Sequence, residues 1–215
     1  MRVIFDNYTK ESSLKEATRE RRRSKSKIIR SYIVEESTCI KDKGTFLASN
    51  DTKDSLTLYL AQKLIDRSTT EKLVTVTSSD VMTNSDCHVC TRVSTHEEAD
   101  TLMILHAVEV AKTGFIVHLY SADTDVLLLA LRRVSQLGTD PAVIMGTGER
   151  RHRVMLRPMY DQLGADKASA LINWHALTGC DTTGHIQGKG KGDASQHSLH
   201  QTPLYLTQWL DVEKG

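Results

Sequence analysis

The sequence has few aromatic residues, few cysteines and no long apolar run. Aromatic residues make up 5% of the 215 residues, so valine, leucine and isoleucine must supply the core of an α/β domain. The four cysteines are too sparse for a disulfide framework, which indicates reduced thiols and an intracellular protein. No stretch approaches the roughly 20 apolar residues of a membrane span, and no signal peptide is evident. We therefore expect a soluble protein with no membrane partner.

The net charge of +1 says nothing about partners, but the distribution of charge is uneven. Residues 10 to 30 predict a basic helix in which Lys15, Arg19 and Arg22 recur on one face. This face could be a solvated surface or a phosphate clamp. The segment from Arg21 to Lys27 could also be a nuclear-import signal, so we expect a nuclear location.

Two acidic clusters lie on either side of a predicted strand, residues 115 to 120. Glu98 and Asp100 open the helix before it, and Asp123 and Asp125 follow it. Ligands collect at the ends of the strands in a parallel sheet. Neither cluster contains lysine or arginine, so a divalent metal is the natural counter-charge for the carboxylates. The alternative is that these acids complement helix dipoles, with Ser94, Thr95 or Ser121 as N-caps.

Two further aspartates fit the same pattern. Asp181 follows an apolar helical run in the segment Leu-Thr-Gly-Cys-Asp, and Asp6 ends the first predicted strand, residues 3 to 5. Asp6 could instead cap the segment that follows it.

Four motifs then occur in order: Glu98-Ala-Asp100, Ser121-Ala-Asp-Thr-Asp125, Leu177-Thr-Gly-Cys-Asp181 and Gly188-Lys-Gly-Lys191. Over residues 1 to 191, this series resembles the flap endonuclease and 5′-exonuclease superfamily. The resemblance implies a three-layer PIN-like α/β domain with a central, mostly parallel sheet. A helix-hairpin-helix-like loop at residues 182 to 191 and a divergent tail at residues 192 to 215 would follow.

The resemblance also implies an activity, which is divalent-metal-dependent hydrolysis of phosphodiester bonds in DNA or RNA. Two Mg²⁺ or Mn²⁺ ions and no organic cofactor are expected. The implied ligands are six carboxylates: Asp6, Glu98, Asp100, Asp123, Asp125 and Asp181. Glu97 could replace Glu98, since it pairs with Asp100 at a spacing of three residues. Lys15 and Arg22 would offset charge on the phosphoryl oxygens.

The resemblance implies that nucleic acid binds to Arg19 and to a glycine-rich loop. The loop residues are Gly188, Lys189, Gly190 and Lys191. Glycine has no Cβ, so it allows a phosphate to approach the main-chain amides. The predicted hairpin around residues 146 to 150 is also basic. It could touch a nucleic-acid backbone or be a solvated turn.

Two departures from the family pattern favour a second function. The resembled family has an earlier strand with its own metal-binding aspartate, so we expect this chain to be incomplete at its N-terminus. The segment after Lys191 is weakly helical, which suggests a degraded clamp. The alternative is therefore a catalytically inactive nucleic-acid-binding or scaffold protein on the same fold. A receiver-like or phosphate-handling domain would not explain the basic helix or the glycine-rich loop.

The remaining pattern predicts the other elements. Helices are expected over residues 51 to 66, from the acidic cluster at Glu98 to Gly114, over 159 to 163 and over 167 to 177. Strands are expected over residues 73 to 77 and on both sides of the hairpin. Residues 38 to 50 and 78 to 93 are expected to be irregular. His106 is interpreted as a packed histidine, His96 stays ambiguous, and Cys87-His-Val-Cys90 is interpreted as a loop with two free thiols.

Overall fold

A computed structural model describes residues 1–8, 30–69, 72–85 and 99–178, with side chains described as far as residue 175. Several predicted features lie outside these residues. They are the basic helix apart from Arg30, with Lys15, Arg19 and Arg22; Glu98; Asp181; and the loop with Gly188, Lys189, Gly190 and Lys191.

The chain divides into two compact units, residues 1–106 and 107–215. The boundary falls inside the helix that the sequence predicts after the first acidic cluster. Each unit is described by itself below.

The first unit contains a three-stranded mixed sheet. Its strands are β1 (Arg2–Ile4), β2 (Val74–Val76) and β3 (Val81–Thr83), in the order β1-β2-β3. Strand β1 runs parallel to β2, and β3 runs antiparallel to it. The helices are α1 (Lys43–Phe46), α2 (Asn50–Arg67) and the first half of α3 (Ala99–Lys112). This arrangement places the end of β1, and hence Asp6, at one edge of a parallel strand pair.

Branched apolar residues form the core of the first unit. Val74, Val76 and Leu102 are buried together, and Ile4 and Val81 pack against them. The β-branched run in β2 favours an extended strand because its side chains pack well on a pleated surface. Leu102 lies one turn into α3, so burial of this side chain fixes the start of α3 against the sheet.

The second unit contains a second mixed sheet. Its strands are β4 (His118–Tyr120), β5 (Ala142–Met145) and β6 (His152–Met155), in the order β4-β5-β6. Strand β4 is parallel to β5, and β6 is antiparallel to β5. The helices are α4 (Thr124–Arg132), α5 (Leu156–Leu163) and α6 (Ala165–Thr178). Helix α6 packs on both α4 and α5.

The core of the second unit is aliphatic and is shielded from solvent. Val126, Leu131, Val143 and Leu156 have essentially no exposed surface. Fully burying an aliphatic side chain of this size contributes about 1.5–3 kcal/mol of transfer free energy. The side of α6 that carries Ala168 and Leu171 is buried as well.

Two glycines fix chain reversals in the second unit. Gly164, with φ of 76°, separates α5 from α6, as expected for a residue in the left-handed region at a helix end. Gly146, with φ of 78°, begins the turn between β5 and β6. A Cβ at this position would collide with the main-chain oxygen of Arg150, so only glycine fits there.

Most predicted elements are confirmed within the described residues. Strands β1, β2, β5 and β6 and helices α2, α3, α5 and α6 lie where the pattern places them, and Gly114 follows α3 with φ of 85°. The α/β class is therefore correct. The strand pairings are evenly divided between parallel and antiparallel, rather than mostly parallel.

Three local predictions are wrong. Helix α1 lies in the stretch predicted as a loop, because Asp42 caps it by accepting a hydrogen bond from the Thr45 amide at 2.6 Å. Strand β3 lies in the stretch predicted as irregular, because it pairs with β2. The strand predicted from residue 115 begins only at His118, and Phe115 and Ile116 are exposed. Strand β4 buries one face, through Leu119.

None of the helices among the described residues is both long and apolar enough to cross a bilayer.

Candidate metal centre

Asp6 lies at the N-terminus of α3, although 93 positions separate it from Ala99. Its Oδ1 accepts a hydrogen bond from the Ala99 amide at 2.8 Å, and its Oδ2 accepts one from the Tyr8 hydroxyl at 3.3 Å. The first amides of a helix have no partner within the helix, so a carboxylate there satisfies an otherwise unpaired donor. Asp6 therefore acts as a cap for the first turn of α3.

Asp100 is in the first turn of the same helix. It directly follows Ala99, whose amide binds Asp6. Two acids of the predicted ligand set are thus brought to one helix N-terminus in the first unit. The positive end of the helix dipole favours negative charge here by about 0.3–1 kcal/mol for each group.

Asp123 and Asp125 lie at the corresponding position in the second unit, between β4 and α4. Asp123 is the N-cap of α4, and its Oδ1 accepts a hydrogen bond from the Asp125 amide at 3.0 Å. The Ser121 hydroxyl in turn accepts one from the Asp123 amide at 3.1 Å. The prediction that acids follow this strand and open the next helix is confirmed. The cap is Asp123 rather than Ser121.

His175 is a member of this cluster that the sequence analysis missed. Its Nε2 lies 2.7 Å from Oδ1 of Asp125, across 50 residues of sequence. The side chains are 13% and 32% exposed, respectively, so the pair is shielded from much of the solvent. An ionised carboxylate only accepts hydrogen bonds, so the imidazole is the donor and Nε2 carries the proton.

The sequence indicates that His175 is on the packed face of its helix, but it does not indicate which residue His175 contacts. Ala168, Leu171 and His175 follow the i, i+3, i+7 spacing of one helix face, which places the histidine on the packed side of α6. Which partner it meets depends on how α6 packs on α4, and periodicity does not contain that information. The absence of lysine and arginine near Asp125 favours a metal as the counter-charge. One partner of Asp125 is a histidine 50 residues away in the sequence, which hydrogen-bonds its Oδ1.

The oxygen ligands of this cluster suit a hard divalent cation such as Mg²⁺. In the part of the chain that the structure describes, hydrogen bonds reach Oδ1 of Asp123 and Oδ1 of Asp125. Oδ2 of each is the oxygen that would bind a cation. The carboxylate oxygens of Asp123 and Asp125 are therefore chemically suited to bind a divalent metal ion.

The described residues do not by themselves form a complete metal centre. Across residues 1–8, 30–69, 72–85 and 99–178, no group of three or more histidine, cysteine or acidic side chains is close enough to hold a metal ion. Asp6 with Asp100 and Asp123 with Asp125 are placed in pairs, one pair in each unit. Since Glu98 and Asp181 lie outside these ranges, the six-carboxylate centre stays a prediction.

His106 is a packed histidine, as predicted. It is 2% exposed, and its Nδ1 lies 2.7 Å from Nη1 of Arg2. A guanidinium only donates, so Nδ1 of His106 accepts this hydrogen bond. The contact ties β1 to α3 within the first unit. Cys39 is an exposed free thiol, and the Cys87–Cys90 segment and His96 lie outside the described residues.

The predicted basic hairpin is exposed on the second sheet. Arg150, Arg151 and Arg153 are all exposed, and Nη2 of Arg153 lies 3.0 Å from Nε2 of His118. A contact between this hairpin and a nucleic-acid backbone stays a prediction.

An open depression of about 530 Å³ is present elsewhere in the second unit. Its lining is Val108, Ala111, Lys112, Ser135, Gln136 and Gly138. None of these residues belongs to the predicted ligand set, so the depression is separate from the acidic cluster.

Comparison with known protein families, with curated proteins and with solved structures gives no match. A proposal for function must therefore be based on the motif series and on the contacts of the acidic residues.

Proposed function

We propose that this chain is a divalent-metal-dependent nuclease that hydrolyses phosphodiester bonds in DNA or RNA, on a PIN-like three-layer domain. The observation that carries the proposal is the contact between Asp6 and the start of α3. In this contact, the acid that follows β1 binds the first turn of α3, which also contains Asp100, and this supports a shared site. The second pair, Asp123 and Asp125, supports it from the corresponding place after β4.

The proposed ligands of two Mg²⁺ or Mn²⁺ ions are Asp6, Glu98, Asp100, Asp123, Asp125 and Asp181. Bound there, the ions would activate a water and stabilise charge on the leaving oxygen. The chain's own cations would act on the substrate. Lys15 and Arg22 would bind the phosphoryl oxygens in the transition state, and Arg19 and the loop from Gly188 to Lys191 would hold the flanking backbone.

Under this proposal, the protein is located in the nucleus and its partner is nucleic acid. The basic segment from Arg21 to Lys27 supports it, because lysine- and arginine-rich stretches of this length serve as nuclear-import signals.

The test is cleavage of end-labelled flap, single-stranded DNA and single-stranded RNA in Mg²⁺, with EDTA as the blank. Asp123→Asn and Asp125→Asn should each abolish most of the cleavage, because an amide binds a divalent cation more weakly than a carboxylate. Asparagine also caps helices well, so Asp123→Asn should stay folded. Asp161→Asn, at an exposed position on α5, is the matched control and should cleave like the wild type. Cleavage unchanged in both site variants would exclude the metal assignment.

A second candidate is a catalytically inactive nucleic-acid-binding or scaffold protein on the same fold. It is favoured by the structural contacts that three of the acids make: Asp6 and Asp123 cap helices, and Asp125 is bonded to His175. Acids retained for these contacts would need no metal. Binding of labelled strands without cleavage in either Mg²⁺ or Mn²⁺ would favour this candidate.

A further inference from the structure

We infer that His175 is a positioning residue that orients Asp125 for metal binding. The inference rests on the proposed function, because it assigns a role at the same site. His175 would bind no metal and no substrate. It would hold Oδ1 of Asp125 so that Oδ2 faces the ion.

The imidazole is held in place by helix packing. His175 is one turn beyond Leu171 on the buried side of α6, and α6 packs on α4, the helix that Asp125 opens. The Nε2–Oδ1 distance of 2.7 Å is that of a strong charge-assisted hydrogen bond. With only 13% of the histidine side chain exposed, water competes poorly for this contact.

Asp125 is held from a second direction by Asp123. The Asp125 amide donates to the carboxylate of Asp123 at 3.0 Å, which fixes the main chain at the start of α4, while His175 fixes the side chain. A carboxylate restrained in this way loses less conformational freedom when an ion binds. Groups that orient metal ligands from outside the ligand shell typically change metal affinity or activity 10–100-fold when they are removed.

Two substitutions separate the hydrogen bond from simple packing. His175→Leu replaces the imidazole with an apolar side chain of similar bulk and so removes the Nε2–H donor. His175→Gln keeps an N–H donor at the same number of bonds from Cβ as Nε2. His118→Leu is the matched control, because this exposed histidine hydrogen-bonds Arg153 and, among the described residues, no acid.

The measurement is Mn²⁺ affinity at fixed pH, from the paramagnetic resonance signal of free Mn²⁺. We expect about 10–100-fold weaker binding in His175→Leu. His175→Gln and His118→Leu should bind nearly as well as the wild type. In an Asp125→Asn background, His175→Leu should add no further loss, because the two residues act through one contact.

The outcomes separate this inference from the proposed function. Mn²⁺ binding by the wild type with equal binding by His175→Leu would overturn the inference alone, as would equal losses in the leucine and glutamine variants. No Mn²⁺ binding by the wild type would overturn both. If His175→Leu does not fold, ¹⁵N NMR spectra of the His175 imidazole in the wild type test the inference instead. We expect a protonated Nε2 that keeps its hydrogen bond when Mg²⁺ is added, and loss of that bond would contradict the inference.

Discussion

Replacing Asp6 with alanine should loosen the first turn of α3 and leave the rest of the first unit folded. The substitution removes the acceptor for the Ala99 amide, which Asp6 Oδ1 reaches at 2.8 Å. Loss of an N-cap acceptor costs about 0.5–2 kcal/mol, and loss of a negative charge at a helix N-terminus costs about 0.3–1 kcal/mol. These effects overlap, so we expect a loss of about 1–2 kcal/mol.

Amide hydrogen exchange measured by NMR reports this loss at the bond itself. A change of about 1–2 kcal/mol corresponds to roughly 5–30-fold faster exchange at Ala99. Asp6→Asn keeps a side-chain acceptor and should exchange much closer to the wild type. The experiment is run in EDTA, so that any effect of bound metal is absent.

Asp42→Ala provides the matched control for cap removal. Asp42 caps α1 by accepting from the Thr45 amide, so this variant should speed exchange in α1 and leave Ala99 unchanged. If Ala99 exchanged at the same rate in wild type and Asp6→Ala, Asp6 would not hold α3. The observation on which the proposed function depends would then be lost.

Three other predictions concern the core, a turn and a surface ion pair. Leu131→Ala should destabilise the second unit by about 2–5 kcal/mol in urea unfolding, because this side chain is fully buried in the core; a loss below about 1 kcal/mol would contradict that packing. Gly146→Ala should lower the melting temperature more than Gly164→Ala, since both have positive φ but only Gly146 lacks room for a Cβ. The hydrogen bond and charge of Lys63 hold the pKa of Glu36 below its ordinary value, so Lys63→Met should raise that pKa in an NMR titration. The Glu36 contribution to stability should be present above the ordinary carboxyl pKa and lost as pH falls through the lowered one.

The elements that the sequence predicted best are those whose signals are local. The β-branched run of β2 and the glycine between α5 and α6 each act within a few residues, and both elements are confirmed. The acids after β4 were also placed correctly, because a strand end followed by a first helical turn is a local pattern. Strand β3 was missed because it depends on pairing with β2, which its own composition does not encode.

The contacts of the candidate site were harder to predict. The bond between Asp6 and Ala99 joins residues 93 positions apart, and the bond between Asp125 and His175 joins residues 50 apart. Hydrophobic periodicity indicates which face of a helix is buried but not which residue lies opposite. The partner of Asp125 therefore could not be identified without the packing of α6 on α4.

Calorimetric titration of the metal-free protein with Mn²⁺ decides whether the acidic residues hold divalent cations. We expect saturable uptake that approaches two ions per chain and that weakens in Asp100→Asn and Asp125→Asn. An absence of heat beyond dilution, or uptake equal in the wild type and both variants, would contradict it.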